Sequence, residues 1–251
     1  MPKGGEAAEM KADGGQFKAV FFDVNDTLWD SHSCAYHVME IILPRFTPPL
    51  PDVKTAEVAR RYNAVFLDLP RREHLHEKRP FSRLKRFEAL LESYGVRRRG
   101  LARQLSHTYD SVRRLAMRQF LRSDAHRVLA ELGRRGLRRG VIMNGAPAVQ
   151  RHLVQSLGLE PHLEHVVLGE IEGYSKPDVR LFKRALELAG VAAEEMLYVG
   201  DSPLTDVLGA SRAGIPVAWL NTGRRRLPRD FPTPDVSVTS LSEVLDIAAG
   251  K

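Results

Sequence analysis

The sequence has little cysteine and no long apolar run. Cys34 is the single cysteine among 251 residues, so no disulfide can form within the chain. Chains without disulfides are typical of reducing compartments, and we therefore expect a cytoplasmic location. No run of eighteen apolar residues occurs, which predicts that the chain has no membrane-spanning helix and no membrane partner.

Nucleic-acid-binding motifs are also absent, although the chain is basic. Lys and Arg number 38 against 31 Asp and Glu, which gives a formal net charge of +7. The densest basic stretch, residues 71–103, alternates with Leu and Phe at helical spacing, as the solvated face of a helix does. We therefore interpret the charge as a solvated surface and expect no nucleic-acid partner.

The first sixteen residues are polar and rich in glycine. They lack the apolar middle of a secretory signal, so residues 1–16 are predicted to be a disordered leader.

Hydrophobic periodicity predicts an α/β fold with an insertion. An apolar run from Phe17 ends on Asp23 and is typical of a buried strand. Residues 31–121 show only helical spacing, whereas helices and strands alternate after them. Such alternation predicts right-handed crossovers and a parallel sheet covered on both faces. We therefore expect a doubly wound, Rossmann-like core, residues 17–30 and 122–251, with an inserted helical cap, residues 31–121.

Polar residues follow the predicted strands where each strand ends. Because ligands bind at the carboxyl ends of parallel strands, we expect these residues to converge on one edge of the sheet. Carboxylate oxygens hold Mg2+, a lysine offsets phosphate charge, and an aspartate can attack phosphorus. The residues are Asp23, Asn25, Thr27, Asn144, Gly145, Lys176, Asp201, Ser202 and Asp206.

Four patterns occur in order along the chain: hhhDxNxT, NG, KPD and GDSxxxD. This order resembles the four motifs of the haloacid dehalogenase superfamily, and the resemblance covers nearly all of the chain from Phe17 onward. The helical segment stands where the first type of cap in that family stands. Within the superfamily, the stretches MNGAPAVQ, YSKPD and VGDSPLTDVLGASRAG are similar to phosphatases that act on small metabolites.

The resemblance implies a role for each residue. Asp23 would be the nucleophile, and it would bind Mg2+ together with the main-chain carbonyl of Asn25 and with Asp201. Lys176 would pair with both the phosphoryl group and Asp23. Phosphate oxygens would be held by Asn144, Gly145, Thr27 and Lys176, whereas Asp206 and Ser202 would support the loop.

Two residues depart from the family pattern. Most phosphatases of the family carry a second aspartate where Asn25 stands, and that aspartate moves protons to the leaving group and from water. Such general acid–base help contributes about 10²–10⁴-fold, and an amide cannot supply it. We expect Asp26, one residue later, to point elsewhere. The family's Ser or Thr before Asn144 is here Met143, whose thioether is a poor partner for phosphate.

Three hypotheses remain open. The first is a slow Mg2+-dependent phosphatase of a small phosphorylated metabolite, of the sugar phosphate or nucleotide type, or one whose substrates have good leaving groups such as acyl phosphates. It acts through an aspartyl-phosphate on Asp23. The second is a binding or regulatory protein that keeps the fold with little catalysis. The third and least favoured is a 2-haloacid dehalogenase, because such enzymes usually lack the metal-binding aspartate present here as Asp201. A monomer or a homodimer is expected.

Overall fold

A computed structural model of the chain describes residues 17–46, 54–62, 82–227 and 231–250. The predicted leader, residues 1–16, lies outside the described residues. Within them, no helix has the length and apolar character needed to cross a membrane.

The chain divides into two compact units. The first contains the described residues up to Trp29 and from Arg122 onward, and the second runs from Asp30 to Leu121. These divisions fall within one residue of the limits expected for core and cap.

The second unit is built from helices. They are α1 (Ser31–Ile42), α2 (residues 55–62), α3 (Arg83–Ser93) and α4 (Leu101–Ala116), with 3-10 turns at Leu43–Phe46 and Met117–Phe120. The side chain of Asp30 caps α1 by accepting a hydrogen bond from the amide of Ser33 at 2.9 Å. Rings from three helices, Tyr62, Phe87 and Tyr109, pack together with centroids 4.9–5.9 Å apart.

The first unit contains a sheet of six parallel strands. The strands are β1 (Ala19–Phe22), β2 (Arg138–Met143), β3 (His165–Leu168), β4 (Met196–Gly200), β5 (Val217–Leu220) and β6 (Val236–Val238). Their order in the sheet is β3-β2-β1-β4-β5-β6, and every pair is parallel. The central strands β1 and β4 are buried along their whole length, because a doubly wound sheet is covered on both faces. The predicted fold class is confirmed.

Helices connect these strands. They are α5 (Ala125–Arg134), α6 (Pro147–Ser156), α7 (Gly169–Glu172), α8 (Val179–Ala189), α9 (Leu208–Arg212) and α10 (Val244–Ile247). The helical segment after β4 starts with a π-helical turn, Pro203–Val207, and continues as α9.

The strand β6 was not predicted. It has three residues, which is shorter than the runs of four or more that hydrophobic alternation can identify. It pairs with β5, and Asp235 just before it accepts a hydrogen bond from the amide of Val217 at 2.8 Å.

Gly140 leaves room for an aromatic ring from the neighbouring strand. Phe21 of β1 lies opposite Gly140 of β2, and its ring stacks on His165 of β3 with centroids 6.0 Å apart. A β-carbon on Gly140 would lie 2.3 Å from the nearest atom of the Phe21 ring. The absence of a side chain at this position therefore allows the Phe21 ring to pack over β2 and to contact His165 of β3.

We expect Gly140→Ala to lower the free energy of unfolding by about 1–3 kcal/mol, because the buried ring has no space to move. Denaturant titration measures the change. The control is Gly223→Ala, whose new β-carbon would be 3.7 Å from the exposed side chain of Arg225. Equal stability of the two variants would contradict this account of Gly140.

Candidate active site

Three carboxylates meet at the carboxyl edge of the sheet. Asp23 follows β1, and its amide donates to the carbonyl of Val199 in β4 at 2.9 Å. Asp201 and Asp206 follow β4. Each of the three offers an oxygen that lies within 4.8 Å of the other two. The sheet therefore brings together residues that are about 180 positions apart in the sequence, as parallel strands do.

Lys176 lies among these carboxylates and is almost completely buried. Its Nζ donates to Oδ1 of Asp23 at 2.6 Å, to Oδ1 of Asp206 at 2.7 Å and to the hydroxyl of Tyr198 at 3.0 Å. An ammonium group has three protons, so these bonds use its whole donor capacity. The Tyr198 hydroxyl in turn donates to Asp206 Oδ1 at 3.1 Å.

Asn144 holds the main chain of Lys176. Its Nδ2 donates to the Lys176 carbonyl at 3.0 Å, and its Oδ1 accepts from the Lys176 amide at 2.8 Å. The Asn144 carbonyl accepts from Nε2 of Gln150 at 2.9 Å. The side chain of Asn144 therefore positions Lys176. Its predicted contact with phosphate stays a prediction, since only the second N–H of the amide remains for it.

Gly145 permits the turn after β2. Its φ is +109°, and a β-carbon there would lie 2.7 Å from Nε2 of Gln150. Glycine meets both constraints at once, because it tolerates positive φ and needs no room for a side chain.

Asp206 is fixed by the turn that carries it. Its Oδ2 accepts from the amide of Ser202 at 3.0 Å, and Ser202 Oγ accepts from the amide of Thr205 at 3.3 Å. Asp206 is 1% exposed. The side chain thus joins the turn after β4 to Lys176.

Asp201 is held through its main chain. Its carbonyl accepts from Nε1 of Trp219 at 2.8 Å and from Nη2 of Arg225 at 2.7 Å, and the same Nη2 lies 3.5 Å from Oδ2. Asn221 exchanges two hydrogen bonds of 2.8 Å with the main chain of Arg225. The strand β5 and the loop after it therefore hold the main chain of Asp201.

The loop after β1 is a tight turn around Val24. The Val24 carbonyl accepts from the amides of Thr27, Leu28 and Trp29 at 3.3, 3.0 and 2.9 Å. Thr27 is fully buried, and its hydroxyl has no hydrogen-bond partner among the described residues. The predicted phosphate contact of Thr27 therefore stays a prediction. Asn25 is half-buried and its backbone pairs with that of Trp29.

Met143 and Asp26 complete the comparison with the expected site. Met143 is fully buried at the end of β2, so its side chain belongs to the core. The charge of Asp26 helps to raise the pKa of Asp201. That Asp26 points elsewhere and does not substitute for the missing aspartate stays a prediction.

The site carries more negative than positive charge. Burial raises the pKa of Asp23 to about 7, with the charge of Asp206 adding to the shift and that of Lys176 opposing it. Burial also raises the pKa of Asp201 to about 8, with Asp206, Asp23 and Asp26 adding to the shift. Burial alone would lower the pKa of Lys176, but Asp206 and Asp23 hold it well above its usual value. An oxygen-lined site with excess negative charge suits a hard divalent cation.

Several supporting residues were not predicted from the sequence. The sequence pattern does not distinguish them, because each of these residues lies inside an apolar strand, on a helix or in a loop without a motif. Arg225 belongs to a basic run, Arg224–Arg226, but no motif accompanies that run. The residues are Tyr198, Gln150, Trp219, Asn221, Arg225 and Arg122, of which the last is described below.

The chain is similar to known proteins in sequence and in structure. The family model for haloacid dehalogenase-like hydrolases matches residues 17–214. A phosphoserine phosphatase from Thermus thermophilus is 41% identical over 158 residues, which are 62% of this chain and 61% of that protein. A glyceraldehyde 3-phosphate phosphatase from Methanothermobacter thermautotrophicus is 30% identical over 85% of this chain and 89% of its own. The matches with the first curated relatives span less than two thirds of those proteins' length.

Among solved structures, the 2-haloacid dehalogenase from Pseudomonas syringae is similar with a TM-score of 0.63 and 27% identity. The superposition covers 93% of this chain and 99% of that one. Proteins named as phosphatases and as dehalogenases are therefore both similar to this chain.

The raised pKa values predict how stability depends on pH. In an unfolded chain an aspartate has a pKa of about 3.9. The folded protein without Mg2+ keeps protons on Asp23 and Asp201 up to about pH 7 and about pH 8. Between about pH 5 and about pH 8 the folded protein thus binds more protons than the unfolded chain. Its free energy of unfolding should therefore fall as the pH rises through this interval.

Denaturant titrations in EDTA at several pH values measure this slope. In Asp201→Asn one of the two groups is removed, and we expect a shallower slope. The control is Asp178→Asn, because Arg180 lowers the pKa of Asp178 and this carboxylate titrates below the interval. A slope in Asp201→Asn as steep as in the wild type would contradict the assignment.

Proposed function

Because the chain belongs to the haloacid dehalogenase-like hydrolases, we propose that it is a Mg2+-dependent phosphatase of a small phosphorylated metabolite, with Asp23 as the nucleophile. One observation carries the proposal: a buried lysine is bonded to two of three carboxylates that lie within 4.8 Å of one another. Such a set has a candidate nucleophile, a cation to hold it and oxygen atoms for a metal.

Mg2+ fits the donor set. Asp23 and Asp201 offer carboxylate oxygens, and the main-chain carbonyl of Asn25 is the third proposed ligand. Asp206 is already bonded to Lys176 and to the Ser202 amide, so we assign it a positioning role. When bound, Mg2+ would offset the charges of the carboxylates and of the phosphoryl oxygens.

The residues of the chain would act in two steps. An oxygen of Asp23 attacks phosphorus, the bond from phosphorus to the leaving oxygen breaks, and that oxygen departs with the electron pair. Water then attacks phosphorus, the bond from phosphorus to the Asp23 oxygen breaks, and the water proton passes to bulk solvent. This step releases phosphate and restores the Asp23 carboxylate. Lys176 keeps Asp23 oriented and favours its ionised form. The amide of Gly145 and the second N–H of Asn144 are proposed to hold the phosphoryl oxygens.

Asn25 limits both steps. An amide neither donates a proton to the leaving oxygen nor takes one from water. The first step therefore favours leaving groups that are stable as anions, such as the carboxylate of an acyl phosphate. The second step is slow, so turnover is expected to be low.

The names of the relatives support the proposed substrate class. Phosphoserine and glyceraldehyde 3-phosphate are both small phosphorylated metabolites, as their phosphatases' names state. We propose a metabolite of the sugar phosphate or nucleotide type, and no nucleic-acid partner. The cytoplasmic location and the monomeric or dimeric state stay predictions.

Two alternatives have specific support. Asn25 and the similar haloacid dehalogenase favour attack on carbon with loss of halide. The cluster of three carboxylates argues against a dehalogenase. Such a cluster suits a bound cation, and attack on carbon needs no cation. Asn25 together with the buried Met143 favours a binding protein with little catalysis.

A panel of phosphorylated and halogenated compounds, assayed with Mg2+ and in EDTA, tests the proposal. We expect phosphate release that needs Mg2+ and is lost in Asp23→Asn, because the nucleophile is removed while the side chain keeps its size. The control Asp246→Asn changes an exposed residue of α10 outside the four motifs and should release phosphate as the wild type does. Halide release in EDTA would support the dehalogenase, and binding of phosphate compounds without any product would support the binding protein.

Asn25→Asp should raise the turnover number for phosphate release by about 10²-fold or more, because a carboxyl group at this position can move protons. The gain in kcat/KM, which reports the first step, should be larger for alkyl phosphates, whose leaving groups need a proton, than for acyl phosphates. Initial rates over a range of concentrations of one substrate of each kind measure it. An equal gain in kcat/KM on both kinds would contradict proton transfer to the leaving group by position 25.

A further inference from the structure

Arg122 binds the loop that follows β1. Its amide donates to the Leu28 carbonyl at 3.0 Å, its Nε to the Thr27 carbonyl at 2.7 Å and its Nη2 to the Asp26 carbonyl at 2.8 Å. One residue therefore satisfies three successive carbonyls of the turn. The guanidinium is a planar fork whose donors have a fixed spacing, so the two side-chain bonds also fix how these carbonyls are oriented.

The same turn contains a residue in an unfavourable conformation. Asp26 has a φ of +60°, in a backbone region that residues other than glycine adopt at a cost in free energy. Its carbonyl is one of the two that Arg122 binds. The guanidinium therefore stabilises the turn at the position where the backbone is least favourable.

The turn decides where the carbonyl of Asn25 points. The amide of Asp26 donates to the Trp29 carbonyl at 2.6 Å. In a trans peptide the N–H and the preceding C=O point in opposite directions, so this bond sets the direction of the Asn25 carbonyl. The next two peptides are the ones held by Arg122, and loss of their bonds would free the turn to rotate.

We propose that Arg122 is a positioning residue for the metal site. It holds the turn after β1 so that the Asn25 carbonyl and the Asp23 carboxylate keep the geometry that Mg2+ requires. This inference rests on the proposed function for the identity of the metal and its ligands. The bonds of Arg122 to the turn are independent of it.

The test compares Arg122→Ala and Arg122→Lys with a matched control. Arg135, the residue just after α5, also donates from its guanidinium to a carbonyl, that of Leu245 at 2.6 Å. Arg135→Ala therefore loses a bond of the same kind elsewhere in the first unit. Two quantities are measured in the full chain: the dissociation constant of Mg2+ by calorimetry, and amide hydrogen exchange of residues 26–29 without Mg2+.

We expect Arg122→Ala to bind Mg2+ about tenfold or more weakly, since loss of a residue that orients metal ligands typically costs about 10–100-fold in metal affinity. Exchange at residues 26–29 should be faster. Arg122→Lys should lie between Arg122→Ala and the wild type, because an ammonium lacks the fork. Arg135→Ala should match the wild type in both measurements. Methylguanidinium at millimolar concentration should restore part of the Mg2+ affinity to Arg122→Ala alone.

Each other outcome has one meaning. Unchanged Mg2+ affinity in Arg122→Ala, or an equal loss in Arg135→Ala, overturns the role of Arg122. If Arg122→Ala does not fold, wild-type values in Arg122→Lys overturn it. A wild type that binds Mg2+ but releases no phosphate overturns the proposed function, while the comparison of Mg2+ affinities still decides the role of Arg122. A wild type that binds no Mg2+ overturns both.

Discussion

The buried ammonium of Lys176 is the interaction on which the site depends. Taken out of water, a charge is stable only with close partners, and removal of one partner of such a pair typically costs about 3–5 kcal/mol. Lys176 has Asp23 on one side and Asp206 on the other, at 2.6 and 2.7 Å. The lysine therefore holds the candidate nucleophile in place and joins it to the turn that follows β4. Tyr198, beneath it in the sheet, completes its hydrogen bonding.

The order of the strands explains how a single lysine can do this. Lys176 follows β3, Asn144 follows β2, Asp23 follows β1 and Asp206 follows β4, and these strands are adjacent in the same order in the sheet. Asn144 follows β2, which lies between β3 and β1 in the sheet. Its side-chain amide accepts from and donates to the main chain of Lys176. The lysine can thus reach across from the loop after β3 to Asp23 without a long unsupported span.

The sequence was sufficient to predict the polar residues at the strand ends but not the residues that support them. Asp23, Lys176 and Asp206 could be found because charged residues at strand ends contrast with the apolar strands before them. Tyr198 could not be found, because inside a buried strand an aromatic residue that packs and one that binds a lysine have the same pattern. Arg122 follows a long helical insertion, and its contact with the turn after β1 depends on tertiary structure alone. The strand β6 was too short for its alternation to be recognised.

The roles of Asn144 and Asn25 show why a motif does not settle the chemistry. Both are amides at strand ends, and both were assigned by resemblance. Asn144 uses its oxygen and one N–H to hold the lysine, so most of its capacity serves the geometry of the site. Asn25 contributes through its main chain in the proposed site, and that contribution is the same for asparagine and aspartate. Replacement of an aspartate by asparagine there would keep the metal site and remove only proton transfer. The geometry of Asp23, Lys176 and Asp201 is therefore compatible with slow hydrolysis, whereas its rate depends on a side chain that the geometry does not require.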